Sequence, residues 1–277
     1  MLQKLFNSHN LISFSVFLIQ RLSNVPLHHN PSNLPPCTPN ACKDIPDDKL
    51  LISYQRLVGS LTYLAICPRP DIAYAAMALG QFNALPTRTH LVCAKGVLRY
   101  LAGTIHLCLQ FPTPSALPTS TTICAFSDAD WASDEKDHKR ISGYCFFFLD
   151  SLVSWSSRKQ RTVSTSSTES EYYALMNTIK EAIWMKLFLS LTPLPTPVPF
   201  SILCDNLNQS TCTNTDVISS RTKHIDVCHH FIHQHLLDKS FVTTWIPTSA
   251  MMADIFTKPL LSTLFLHHRE SLGLVFL

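Results

Sequence analysis

The sequence predicts an α/β fold, a mixed five-stranded sheet flanked by helices and preceded by a small helical segment. Three observations predict it. From Thr121 to Leu266, short apolar runs alternate with long stripes of helical period. The order of these signals is strand, strand, strand, helix, strand, helix, strand, helix, which is a layered α/β arrangement. The first three strands are joined by connections too tight for a crossover, so they are antiparallel neighbours.

The elements follow in chain order. Residues 1–50 read as a disordered or foreign arm: from Pro26 to Pro46 the chain is rich in Pro, Asn and His, with "NPSNLPPCTPN" at its centre. Within the arm, "LISFSVFLI" (Leu11–Ile19) is too short to span a membrane, and no small-residue cleavage site follows it. Residues 51–112 form the helical segment. Leu57, Leu61 and Leu64, then Val97, Leu98 and Leu101, recur at helical spacing; Pro70-Asp71 reads as a helix start and Thr87 as a cap, so three short helices are expected. "PTPSALP" (Pro112–Pro118) separates this block from a sheet domain over 120–270.

In that domain Ile123–Ser127, "GYCFFFLD" and "LVSWSS" are strands. A helix from Thr168 to Leu191 carries Tyr172, Leu175, Met176, Ile179 and Ile183 on one stripe and ends at "TPLPTPVP". The strand "FSILC", a helix over His224–Leu237, the strand "FVTTWI" and a helix from Met251 to His268 complete it.

Composition excludes little. Of 277 residues 46% are hydrophobic and 15% charged, and the net charge of +3 permits a nucleic-acid partner without requiring one. The 10 cysteines include no C-x-x-C pair, and Cys124, Cys145 and Cys204 lie in apolar strands. That usage implies reduced thiols and an intracellular, cytoplasmic or nuclear chain with no membrane partner.

Four acids stand out by position. Asp128 ends the first strand, Glu171 lies in the first turn of the long helix, Asp205 ends "SILCD", and Asp254 opens the last helix. In a mixed sheet the first and fourth strands can be neighbours, which sets Asp128 beside Asp205. Each acid also has a purely structural explanation, Asp128 as the end of a strand running into a solvated turn. Thr168-x-x-Glu171 is a capping box, Asp254 is a favourable first-turn acid, and Asp205-Asn206 makes a turn. Two carboxylates about 4 Å apart repel by roughly 4 kcal/mol at an effective dielectric of about 20. Four together therefore require a cation, and hard oxygen ligands suit Mg²⁺ or Mn²⁺. Paired ions of that kind can activate water and stabilise the attacking and leaving oxygens of a phosphodiester, which points to a nuclease.

Several stretches then carry a family resemblance: "SDADWASD", "ISGYCFFFLDSLVSWSSRKQRTVSTSSTESEYYAL", "CDNLNQS", "RTKHIDVCHHFIHQH" and "ADIFTKPL". In this order they resemble the ribonuclease H domain of copia-type LTR retrotransposon Pol polyproteins. "YQRLVGSLTYLAICPRPDIAYAAMALGQF" with "VLRYLAGT" is similar to the end of the reverse transcriptase that precedes it. The resemblance implies a ribonuclease H-like fold and cleavage of RNA in RNA-DNA hybrids with two Mg²⁺, Mn²⁺ being a substitute. It also implies that Asp128, Glu171, Asp205 and Asp254 are the metal-binding catalytic acids. Only the motif selects Glu171 over Glu169, since both flank the helix stripe. Ser133 stands where the family usually has Gly, "WIPTSAMMAD" has no His before the last Asp, and no Y-x-D-D polymerase signature is present. The expectation is a truncated polyprotein fragment with other polyprotein parts as further partners. The rival readings are a decayed, non-catalytic remnant with weak nucleic-acid binding and, from Asp128-x-Asp130, a 3′-to-5′ exonuclease; the latter usually carries D-x-E.

Basic residues supply the expected hybrid contacts: Arg158, Lys159 and Arg161 between strand and helix, and Arg221, Lys223 and His224 opening a helix. Cys228, His229, His230, His233 and His235 cluster, but no second ligand pair follows at finger spacing. Trp131, Trp155 and Trp245 read as core.

Overall fold

The structure, a computed structural model, describes residues 48–111, 123–130, 139–164, 166–193, 199–205, 223–237 and 239–277. Most of the expected N-terminal arm therefore lies outside the described residues. The chain divides into two units. One runs to Leu109 and takes in Pro259–Glu270 and Leu274–Leu277; the other comprises Gln110–Lys258 and Ser271–Gly273.

Among the described residues the first unit begins with three helices, α1 (Asp48–Ile66), α2 (Ala73–Gly80) and α3 (Arg88–Gly103), as the apolar spacing predicts. Helix α1 begins at Asp48, inside the stretch expected to be an arm. Pro70 opens a 3₁₀ turn before α2. Thr87 caps α3 in a capping box whose returning group is the His90 ring, not a carboxylate. Arg69 is buried with Asp71 at 2.7 Å, and the Tyr100 hydroxyl donates to the same carboxylate. Arg69 also donates to the Thr104 carbonyl and hydroxyl, so this buried pair keeps the hydrogen-bond partners that burial demands. A short strand β1 (Leu107–Leu109) follows.

The second unit holds β2 (Ile123–Asp130), β3 (Lys139–Phe148), β4 (Ser151–Val163), α4 (Ser167–Ser190), β5 (Phe200–Cys204), α5 (Lys223–Leu237), β6 (Phe241–Trp245) and the four-residue α6 (Asp254–Thr257). Its five strands lie in the order β4-β3-β2-β5-β6. β2, β3 and β4 are antiparallel, whereas β5 is parallel to β2, and β6 to β5. This is the mixed sheet the sequence predicts, in the strand order of a ribonuclease H-like fold. Leu149 and Asp150, with φ of 51° and 58°, form the two-residue loop that pairs Phe148 with Ser151. Positive φ at both positions matches the strand twist of a tight hairpin.

One sheet face is covered by helix. Ile123, Ala125, Phe146, Phe200 and Ile202 pack with Leu175, Ile179, Ala182 and Met185 of α4 and with Ile232 of α5. The predicted stripe splits by depth: Leu175 and Ile179 are buried, while Tyr172, Met176 and Ile183 lie at its margin.

Three expectations change. β4 runs on to Val163, so Arg158, Lys159 and Arg161 lie within an edge strand rather than after one. The predicted last helix, Met251 to His268, is two pieces, α6 and α7 (Ser262–Ser271), preceded by a 3₁₀ turn (Thr248–Ala250). Pro259 is the cause, because it drives the preceding residue extended, and Lys258 sits at φ −145°, ψ 158°. Third, α7 up to Glu270 belongs to the first unit, not to the sheet unit. There the last strand, β7 (Leu274–Phe276), pairs antiparallel with β1, and Arg269 donates to the Tyr100 hydroxyl at 3.3 Å.

Candidate metal centre

The sheet itself sets two acids level. The β2–β5 ladder pairs Cys124 with Ser201, Ala125 with Ile202 and Phe126 with Leu203. The same offset, continued past the last pair, brings Asp205 opposite Asp128. Asp128 does not end its strand as expected, for β2 continues to Asp130 and Asp128 is paired with Gly143 of β3.

Glu171 arrives from α4, and the capping-box explanation for it fails. The N-cap is Ser166, whose hydroxyl accepts from the Glu169 backbone N–H at 3.1 Å. Glu171 is therefore the fifth helical residue and has no part in the cap. Buried Gln160 holds this helix start to the sheet: its amide donates to the Ser142 hydroxyl at 2.7 Å and to the Ser170 carbonyl at 2.9 Å.

Asp128, Glu171 and Asp205 each offer a carboxylate oxygen, and these oxygens lie within 4.8 Å of one another. Asp128 is buried and the other two are half-buried. Thr248 donates to Asp205 Oδ2 at 2.9 Å, and the Trp245 indole donates to the Asp205 carbonyl at 3.0 Å. Trp245 was expected in the core, yet it is 45% exposed at this rim. Asp254, at the start of α6, stands outside the threefold group, but Thr257 links its segment to Asp128, the hydroxyl donating to the Asp128 carboxylate and lying 3.3 Å from the Asp254 carbonyl. Lys258, one turn further on, places its Nζ 2.8 Å from Asp254 Oδ1.

The electrostatics are those of crowded negative charge. Burial, then Asp128 and Asp205, push the Glu171 carboxyl up to about 9. Burial and then Asp128 push Asp254 up to about 7. Burial also raises Asp128, against the opposing pull of Lys258 and the Thr257 hydroxyl. At Lys258 burial opposes the charge, but Asp128 and Asp254 more than offset it and hold the ammonium above its ordinary value. One lysine does not balance this set. The donors, all hard oxygens, fit a divalent cation such as Mg²⁺ or Mn²⁺.

The other expected contacts fare differently. Arg158 and Arg161 are exposed on β4 and Lys159 is half-buried. Arg221 lies outside the described residues; Lys223 and His224 open α5, but their side chains are not described. Among the described residues the acid trio is the one His/Cys/Asp/Glu group close enough to hold a metal; in the His/Cys run of α5 the side chain of His229 lies outside the described residues. Cys228 is buried there, and the His235 ring packs edge-on against Phe231 and Phe241. Thr257, Lys258 and Gly143 were not singled out from the sequence. The signal for Lys258 is its position four residues after Asp254, where a base meets an acid on a helix.

No family model matches the chain. It is 38% identical over 220 residues to the retrovirus-related Pol polyprotein from transposon RE1 of Arabidopsis thaliana, covering 79% of this chain and 15% of that protein. It is 36% identical over 207 residues to the Pol polyprotein from transposon TNT 1-94 of Nicotiana tabacum, covering 75% of this chain and 15% of that protein. The chain thus spans about a seventh of the length of these curated relatives. Among solved structures, RNase H1 from the archaeon Halobacterium salinarum superposes with a TM-score of 0.38 at 13% identity, over 49% of this chain and 94% of that one. At that level it adds nothing to the fold assignment, which rests on strand order. By sequence over some four-fifths of its length, the chain belongs to the family of copia-type retrotransposon Pol polyproteins.

Proposed function

We propose that this chain is a metal-dependent ribonuclease H that cleaves the RNA strand of RNA-DNA hybrids. The observation that carries this reading is the trio Asp128, Glu171 and Asp205, whose oxygens lie within 4.8 Å of one another on a sheet of ribonuclease H-like order. Those three residues, with Asp254 alongside, would hold two Mg²⁺ or Mn²⁺. Bound there, such ions lower the pKa of water and neutralise charge on the phosphodiester, so that cleavage leaves a 5′ phosphate and a 3′ hydroxyl.

The chain's own groups prepare that chemistry. Continuation of the β2–β5 register sets Asp128 and Asp205 side by side before any cation binds. Ser166 and Gln160 fix the start of α4, and through it Glu171. The exposed Arg158 and Arg161, together with Arg221, Lys223 and His224, meet the sugar-phosphate backbone, so hybrid is recognised by charge and shape and not by base sequence. The remaining parts of a Pol polyprotein are further partners.

The test is incubation of the purified chain with end-labelled RNA-DNA hybrid and Mg²⁺. Cleavage is expected in the parent and in Glu169→Gln, which alters an acid outside the trio, and is expected to vanish in Asp128→Asn. Cleavage by Asp128→Asn at the parent's rate, or by the parent in excess chelator, overturns the assignment. A folded parent that binds hybrid without cutting it favours the non-catalytic remnant instead.

A further inference from the structure

We propose that Thr257, seated against Gly143, is a positioning residue that fixes the Asp128 carboxylate for metal binding. The proposal rests on the reading of the acid cluster as a metal centre.

Three features of the packing carry it. The Thr257 hydroxyl is fully buried and donates to Asp128 Oδ2. It also lies 3.3 Å from the Asp254 carbonyl, so one hydroxyl spans the segments that bear two of the four acids. Finally, Gly143, the residue paired with Asp128 across β3, leaves open the space the threonine needs. A Cβ there would come within 2.7 Å of Phe256 Cβ and of Thr257 Cγ2, and 3.2 Å from the Ala253 carbonyl.

A carboxylate on a strand turns freely about its terminal torsion unless a partner holds it. A donor from a buried threonine restricts that rotation and satisfies one oxygen. Because the hydroxyl carries a single proton, giving it to Asp128 leaves the Asp254 carbonyl the lesser share. The backbone of α6 is held independently, since the Ser157 hydroxyl donates to the Phe256 carbonyl at 2.6 Å, tying α6 to β4. Gly143 sets how closely α6 approaches, Ser157 anchors it, and Thr257 transmits that placement to Asp128. Outer partners of this sort typically change metal affinity or activity by about 10- to 100-fold.

The test compares the parent with Thr257→Val, which keeps the shape and loses the hydroxyl, and Thr257→Ser, which keeps the hydroxyl. Binding of Mn²⁺ alone is followed by electron paramagnetic resonance, hybrid cleavage by kcat and KM, and folding by urea denaturation. Thr257→Val is expected to bind Mn²⁺ roughly 10-fold more weakly and to lose kcat by about 10- to 100-fold with KM unchanged, while Thr257→Ser restores both to within a few-fold. If Thr257→Val does not fold, Thr257→Ala takes its place with the same expectation. A folded Thr257→Val that binds Mn²⁺ as tightly as the parent overturns the proposal, as does a Thr257→Ser as impaired as Thr257→Val, or a parent that binds no Mn²⁺. A parent that binds Mn²⁺ but cuts no hybrid sinks the ribonuclease H reading alone, and the Mn²⁺ comparison still decides the role of Thr257.

Discussion

Replacing Glu171 by Gln should stabilise the metal-free protein while removing its response to Mg²⁺. The folded-state carboxyl, pushed up to about 9 from an ordinary value of 4.5, holds its proton more tightly than the unfolded chain does. For an acid displaced upwards, the stability linked to that proton is fully present below the unfolded value. It is lost as pH rises towards the folded value, at about 1.4 kcal/mol per pH unit. At pH 7 the loss reaches on the order of 3 kcal/mol, reduced towards about 1 kcal/mol by solvent screening because Glu171 is only half-buried. Glutamine carries no such proton.

In chelator, parent and variant should therefore differ by less than about 1 kcal/mol at pH 5, with the variant ahead by about 1–3 kcal/mol at pH 7 and further ahead at pH 8. Saturating Mg²⁺ should offset most of that gap at pH 7, since a ligand at about 100 times its Kd adds about 2.7 kcal/mol to the state that binds it. The assay is urea denaturation followed by far-UV circular dichroism at the three pH values, in chelator and in Mg²⁺. A variant less stable than the parent in chelator at pH 7 to 8 would refute the electrostatic reasoning and return Glu171 to an ordinary structural role.

Two further outcomes are expected. Gly143→Ala should cost about 1–3 kcal/mol by overpacking against Phe256 and Thr257, read as a lower urea midpoint, and should reduce hybrid cleavage at least tenfold. Arg158→Ala with Arg161→Ala should flatten the salt dependence of hybrid affinity by one to two in log-log slope, about 0.9 for each phosphate no longer neutralised. An unchanged slope would leave those residues as charges that guard an edge strand against pairing.

The sheet was legible from the sequence because strand runs and helical stripes differ in period, and tight connections dictate antiparallel pairing. Asp128 beside Asp205 followed from that topology. What escaped was decided by competition or by non-local packing. The run "STSSTES" offers several hydroxyls able to cap α4, and pattern alone favoured Thr168 because of its spacing to Glu171; Ser166 takes the role. The basic tract at Arg158–Arg161 lacks the look of a strand, yet β3 supplies a partner for it, with Ser142 opposite Arg158 and Ile141 opposite Lys159. Pro259 could have been read as the break between α6 and α7. The role of Thr257 could not, because it depends on an empty space at Gly143, more than a hundred residues earlier in the chain.

The first unit draws its last helix and strand from the far end of the sequence, and this bears on the order in which the chain can fold during synthesis. Its helices α1–α3 leave the ribosome before the sheet unit, but the Arg269 that meets Tyr100 and the β7 strand that pairs β1 are separated from them by the whole sheet unit. A unit begun before the sheet is thus completed only after it. A nascent chain stopped after Lys258 would contain every strand of the five-stranded sheet and all four acids, while its helical unit would still expose the faces that α7 and β7 cover.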